Sequence, residues 1–188
     1  MNDYQRVQAL PGWFDAIKPY SEAFQRALLF VLAHENEYHP DGTVKTEHDP
    51  KDSGGTTKWG IDQASHPLLD IENLTLEEAV QSYHNDEWKR AHGDALPEAL
   101  AICHFDGTVN IGVVPSAKML QAVVGATVDG KVGSKTLASA SAVGNPLHAA
   151  LAMLERRKTY YTRLRQFPRY GRGWVNRVED LRQFISSC

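Results

Sequence analysis

Two short stretches carry the residue types that could do chemistry. The first is His34-Glu35-Asn36-Glu37-Tyr38, where a glutamate closes an apolar, helix-like run. The second is Asp49-Pro50-Lys51-Asp52-Ser53-Gly54-Gly55-Thr56-Thr57-Lys58-Trp59-Gly60-Ile61, a glycine-rich turn with acids and threonines. A carboxylic acid at a helix end, facing an acid and hydroxyls on a hairpin, suits hydrolysis of a glycosidic bond. One acid protonates the leaving oxygen while the opposite wall holds or activates a water.

The elements that must position these groups are mostly helical. Ser21 is a cap for a helix whose stripe of Phe24, Leu28, Leu29, Val31 and Leu32 ends near Glu35. Residues 38–61 read as loop with a short β-hairpin, Gly54-Gly55 being the turn candidate. Thr75-Leu76-Glu77-Glu78 is a capping box opening a helix that carries Ala79, Val80, Tyr83 and Trp88. Pro97 starts a helix through Leu100, Ile102 and Phe105 toward Asn110. Further helices are expected over Pro115–Val124, Ser134–Val143, Pro146 to about Leu164, and Trp174–Ile185.

Bulk properties bound the class. The chain has 188 residues, 42% hydrophobic and 23% charged, which suits one compact domain or one with a small appended lobe. The formal net charge is −3, but bases concentrate late: Arg156, Arg157, Lys158, Arg163, Arg165, Arg169, Arg172, Arg177 and Arg182. They form either a solvated face or a basic surface for an anionic polymer. Two cysteines give no disulfide framework; Cys103 reads as core and Cys188 as free. Met1–Tyr20 lacks a basic start followed by an apolar run, so no secretory signal is expected, and no stretch approaches a membrane span.

Several motifs fail on spacing. His34 and His39 are five apart, roughly 140° around a helix, and miss the zinc-protease spacing. Gly125 to Lys131 starts like a phosphate loop, but Val132 stands where Ser or Thr is needed. No metal or organic cofactor is expected.

Taken in order, the motifs resemble a known family. Glu35-x-x-Tyr38, Asp49-Pro50-x-Asp52-x-Gly54-Gly55-x-Thr57-x-Trp59-Gly60-Ile61, Tyr83, Trp88, Gly93-Asp94-x-Leu96-Pro97 and Phe105-Asp106-x-x-Val109-Asn110-x-Gly112 resemble glycoside hydrolase family 108. These are lysozyme-like N-acetylmuramidases found among phage endolysins and secretion activators. Ala117-Lys118-x-Leu120-Gln121, Asp129-Gly130-x-x-Gly133-x-x-Thr136, Arg156-Arg157-x-x-Tyr160-Tyr161 and Gly173-Trp174-x-x-Arg177-Val178 are similar to the peptidoglycan-binding domain that follows in that family.

The resemblance implies a mainly α, lysozyme-like two-lobed fold with a small β-hairpin. Its expected parts are an N-terminal extension (1–24), a catalytic domain (25–111) and a helical peptidoglycan-binding-type domain (112–188). It implies Glu35 as general acid, with Asp52 and Thr57 stabilising the transition state or holding water. Tyr38 and Trp59 would line sugar subsites, each being equally readable as core. Asp106 and Asn110, four apart on one helix face, would line the far wall; capping or core hydrogen bonding is the alternative. The implied substrate is the β-1,4 bond between N-acetylmuramic acid and N-acetylglucosamine in peptidoglycan glycan strands, cleaved by a monomer that binds no nucleic acid and does not insert in membranes. Synthesis in the bacterial cytoplasm would require a holin-type or other export machinery to reach the wall. A non-catalytic wall-binding or secretion-helper protein and a lytic transglycosylase are the rival readings. One departure stands out: Asn36 and Glu37 replace two glycines usual in the family. Asn36 would then supply a left-handed conformation, and Glu37 a second negative charge near the site.

Overall fold

The computed structural model describes residues 1–39, 43–48 and 55–187. Asp49, Pro50, Asp52, Gly54 and Cys188 lie outside the described residues. The chain divides into two compact units, Met1–Asn85 and Asp86–Cys188. It is mainly α-helical, with one small antiparallel sheet.

The first unit holds α1 (Asp3–Gln8), α2 (Trp13–Ile17), α3 (Glu22–Glu35), strands β1 (Glu47–His48), β2 (Thr56–Lys58) and β3 (Ile61–Asp62), and α4 (Leu76–Ser82). Residues 1–20 do more than extend the chain. Asn2 and Gln5 form a capping box that starts α1, and α1 packs on α3 with Val7 fully buried. Trp13 and Ile17 are buried from α2. Ser21 caps α3 through the Phe24 amide, and the helix ends at Glu35 as its apolar stripe predicts. The Thr75–Glu78 capping box forms and opens α4. The helix then widens into a π-helical turn, Tyr83–Trp88, where an α-helix was expected to continue.

The sheet order is β1-β2-β3, with Glu47 opposite Thr57, and Thr57 in turn opposite Asp62. A single hairpin was expected; a third strand is present. The β2–β3 turn is Trp59-Gly60, with φ of 58° and 73°. Two consecutive positive φ values are the signature of a type I′ turn, whose twist matches the flanking strands.

The second unit holds a 3-10 turn (Gly93–Ala95), α5 (Glu98–Ile111), α6 (Val113–Val124), α7 (Ser134–Ser141), α8 (Pro146–Tyr161) and α9 (Phe167–Ser186). Helix α5 is its axis: every residue from Leu100 to Thr108 is buried, and α6, α8 and α9 all pack on it. The sequence reading grouped α5 with the catalytic segment; its packing groups it with the helices that follow. Trp88 is fully buried, with Gly93 against its ring and Phe105 edge-on at 5.5 Å. Helix α7 starts at Ser134 as expected, with Gly133 at its cap position. Helix α9 begins at Phe167, with Pro168 in its first turn, rather than at Trp174.

Asp106 sits in this core with no exposed surface. Its Oδ1 accepts from Arg177 Nε (2.9 Å) and Nη2 (2.6 Å), and its Oδ2 accepts from Arg157 Nη1. Arg157 Nε donates to the Tyr161 hydroxyl at 2.6 Å, and that hydroxyl donates to Asn110 Oδ1. Burial alone pushes the Asp106 carboxyl up, but the charges and hydrogen bonds of Arg157 and Arg177 outweigh it and hold it at about 2. His104, also buried, donates from Nδ1 to Ser116 Oγ (2.7 Å), whose hydroxyl donates to the His104 carbonyl (3.0 Å). Burial pulls that imidazole down to about 4.

Both shifts set how stability responds to acid. A carboxyl held near 2, against an ordinary 3.8, stabilises the fold above pH 3.8 and loses that contribution as pH falls toward 2. An imidazole held near 4, against 6.5, makes the unfolded chain take up a proton first, so stability falls between 6.5 and 4. Urea titrations across this range are expected to show both losses. His104→Asn should flatten the upper one and Asp106→Asn the lower. At pH 7 Asp106→Asn should cost about 3–5 kcal/mol, because two guanidinium groups stay buried without their counter-charge. A cost within error of zero would contradict this account of the core.

Candidate active site

Glu35 is the last residue of α3 and is half-buried. The type I′ turn lies directly against it. A Cβ placed on Gly60 would sit 2.8 Å from Glu35 Cβ and 2.6 Å from the Tyr83 hydroxyl. Only glycine allows this approach, and its φ of 73° independently favours glycine. The turn is fastened at two further points. The Tyr83 hydroxyl donates to the Trp59 carbonyl at 2.9 Å, and Trp59 Nε1 donates to the Leu74 carbonyl at 3.1 Å. The hairpin is thereby seated on the end of the helix that bears the acid.

After Glu35 the chain turns back on itself. Asn36 is extended, with φ −95° and ψ 135°, so no left-handed conformation is needed there and that expectation is corrected. His39 N donates to Thr43 O (2.8 Å) and Lys45 N to Glu37 O (2.9 Å), flanking a bridge between Tyr38 and Val44. Glu37 points outward, 65% exposed, and pairs with Lys45 at 3.0 Å. A cleft of about 900 Å³ opens beside this segment, lined by Arg6, Ala33, His34, Asn36, Tyr38 and Lys45 among others. Among the described residues, both side-chain polar atoms of Asn36 and the Tyr38 hydroxyl are buried without a hydrogen bond of good geometry. Burial pushes the Tyr38 phenol up, partly offset by the neighbouring Asn36 amide. Arg6, from α1, lies over the Tyr38 ring at 6.0 Å.

The expected site residues therefore separate. Glu35 and Tyr38 flank one turn of chain at the end of α3. Thr57 lies in the central strand β2 and is half-buried. Asp52 lies outside the described residues. Trp59 is only 7% exposed, and its indole nitrogen is committed to Leu74; it fastens the hairpin and is not a sugar platform. Asp106 is fully buried and doubly paired, so it cannot line a wall of a cleft, and Asn110 is taken by Tyr161. Their four-residue spacing marked a shared helix face correctly, but that face is core. Gly60 and Tyr83 were quoted as motif residues without a role. The signal for them was present: a Trp-Gly pair between strand-like segments is a turn needing positive φ, and a turn so close to an acid needs an anchor.

The family model described as Glycosyl hydrolase 108 matches residues 29–112, and that described as Predicted Peptidoglycan domain matches residues 115–179. Residues 29–112 belong to the glycosyl hydrolase 108 family. A solved structure, SagA of Brucella abortus, superposes with a TM-score of 0.72 at 27% identity, covering 87% of this chain and 94% of that one. No curated protein matches. The two matched segments support a glycoside hydrolase with a peptidoglycan-directed role. They meet at the Gly112–Pro115 junction, whereas the compact units part at Asn85–Asp86. No described helix is long and apolar enough to cross a membrane.

Gly60→Ala is expected to lower stability by roughly 2 kcal/mol or more, because strain at positive φ adds to the clash with Glu35 and Tyr83. Tyr83→Phe should cost about 1 kcal/mol through the lost bond to Trp59 O, and should lower activity more than Lys58→Ala on the same hairpin. Equal activities for these two variants would argue that the seating of the turn does not matter for function.

Proposed function

We propose that the chain hydrolyses the β-1,4 bond between N-acetylmuramic acid and N-acetylglucosamine, with Glu35 as general acid. The observation that carries this reading is the half-buried carboxylic acid at the end of α3, held against a glycine turn inside a glycosyl hydrolase 108 segment. A general acid must be fixed relative to the leaving oxygen, and the three-point attachment of the Trp59-Gly60 turn supplies that rigidity. The adjoining cleft of about 900 Å³, with Arg6, His34, Asn36, Tyr38 and Lys45 in its lining, has the size and polar groups to take an amino sugar.

In this mechanism Glu35 gives its proton to the glycosidic oxygen as the C1–O bond breaks. Charge builds on the ring oxygen and C1. Water attacks C1, and its proton passes to a base, the role we assign to Asp52, with Thr57 holding the water. The products are a reducing N-acetylmuramic acid end and a new 4-hydroxyl on N-acetylglucosamine. The peptidoglycan-binding domain would retain the enzyme on the wall between cuts, and export machinery of the holin type would bring it there.

Purified cell walls treated with the chain should lose turbidity and release fragments with reducing N-acetylmuramic ends. Glu35→Gln should slow this about a hundredfold or more while leaving thermal unfolding near that of the parent. Anhydro-muramic products would sink hydrolysis in favour of transglycosylation, and full clearing by Glu35→Gln would remove Glu35 from the acid's role.

A further inference from the structure

The second unit carries a groove that no catalytic residue touches. It lies between α6 and α8, has a volume of about 680 Å³, and its lining includes the apolar Val114, Met119 and Val128 and the cationic Lys118, Arg156 and Arg163. That volume falls within the usual size of a pre-formed ligand pocket. Val114 and Val128 are 52% and 51% exposed, apolar surface with nothing over it. Among the described residues no ion pair reaches Lys118, Arg156 or Arg163. The one acid in the lining, Glu155, is engaged by Lys158 at 3.4 Å and by Arg182. The groove thus combines apolar surface with a cluster of cations.

One wall is built to stay in place. Gln121, buried on α6, donates to Asp129 Oδ1 (2.7 Å) and Lys131 O (3.0 Å) and accepts from Gly130 N (2.8 Å). Asp129 Oδ1 also accepts from Lys131 N at 2.8 Å. This network fixes the turn that carries Val128. A Cβ on Gly130 would come within 3.0 Å of Val114 and 3.3 Å of Lys118, so the turn closes directly on the groove. The opposite wall is α8, whose register is set by Arg157 in the core; its neighbour Arg156 therefore faces out, along the groove.

We infer that this groove binds the peptide stem of peptidoglycan through its free carboxylates, and not the glycan strand. The inference rests on the reading of peptidoglycan as the ligand and names the part of it recognised. Glycan is a neutral polyol apart from the lactyl group and gives three unpaired cations little to neutralise. A short peptide rich in alanine, with free α-carboxylates, matches both features: methyls against the valines and carboxylates against the arginines. A phosphate-bearing wall polymer would satisfy the cations but leave the valines uncovered.

The test titrates the Glu35→Gln chain with the synthetic stem tetrapeptide L-Ala-γ-D-Glu-L-Lys-D-Ala by calorimetry and by amide chemical shifts. Saturable binding is expected, with shifts centred on Val114, Lys118, Val128 and Arg156. It should weaken about tenfold or more when the peptide carboxylates are amidated, and equally in Arg156→Gln/Arg163→Gln. Arg156→Lys/Arg163→Lys should retain most of the affinity, and all these residues are exposed enough for the fold to persist. Equal binding of free and amidated peptide would overturn the inference. So would unchanged affinity in the glutamine variant, no saturation by about 10 mM peptide, or binding of peptide-free glycan or a glycerol-phosphate polymer in place of the peptide. Because the probe contains no glycosidic bond, its failure leaves the hydrolytic reading untouched, and anhydro-muramic products would overturn the latter without bearing on the groove.

Discussion

The Asp106 carboxylate, gripped by Arg157 and Arg177, is the constraint on which the second unit depends. It joins α5 to α8 and to α9, partners 51 and 71 residues apart in sequence. Burying three charges has a heavy desolvation cost, and a well-packed apolar triad would often be as stable. What the cluster gives is registry. Arg177 holds one carboxylate oxygen with two N–H groups while Arg157 takes the other, so both helices are tied to one buried carboxylate and can slide little. Tyr161 and Asn110 extend the network along the same face of α5. The rotation of α8 then decides which of two adjacent arginines belongs to the core and which to the surface: Arg157 is inside, Arg156 outside.

The first unit is organised around a tighter and less polar constraint. Its critical contact is the absence of a side chain at Gly60, which lets a β-turn rest on the last turn of α3. Everything that touches the turn holds it there. Trp59 reaches forward to the segment before α4, and Tyr83 reaches back from the π-helical turn that follows α4. The capping box at Thr75 sets where α4 begins, and the widening at Tyr83–Trp88 aims the phenol at Trp59 O. A π-turn is costly in an isolated helix and recurs where a side chain must be re-aimed at a functional site. The acid's position thus depends on a helix cap some forty residues away in sequence, through two hydrogen bonds and one missing Cβ.

Local signals in the sequence were legible where one interaction settles the outcome. The Ser21 cap, the Thr75 capping box and the stripe ending at Glu35 needed no tertiary information, and neither did the mainly helical, lysozyme-like character. Long-range pairing was not legible. Asp106 and Asn110 share a helix face by spacing, yet spacing does not say whether that face meets solvent, and the arginines that claim Asp106 lie on two later helices. The same blindness made nine late bases look like one basic face. Two are core groups on Asp106, and Lys158 and Arg182 are spent on Glu155 and Glu179. The surface left is narrower than the count suggested, and Arg156 and Arg163 sit together on it. Trp59 was ambiguous for a related reason: an aromatic ring beside a glycine serves equally as platform or as anchor until its nitrogen finds a partner.

The replacement of two glycines by Asn36-Glu37 is the feature that most favours a chain that has kept the fold and lost the reaction. The local geometry weakens that argument at both positions. Glycine is indispensable only where φ is positive or a backbone must be approached closely, and Asn36 is extended, capping α3 with its amide still donating to Leu32 O. A second acid would disturb the site if its charge were buried and unopposed. The Glu37 carboxylate is mostly exposed and faces Lys45, which the Glu37–Lys45 backbone pairing brings opposite it. An exposed, locally neutralised charge acts weakly on its neighbours through water. The pair also ties down the strand that follows the acid, which a two-glycine segment would leave less constrained. The departure is therefore better understood as a different way of fixing the chain beyond α3 than as the scar of a lost active site.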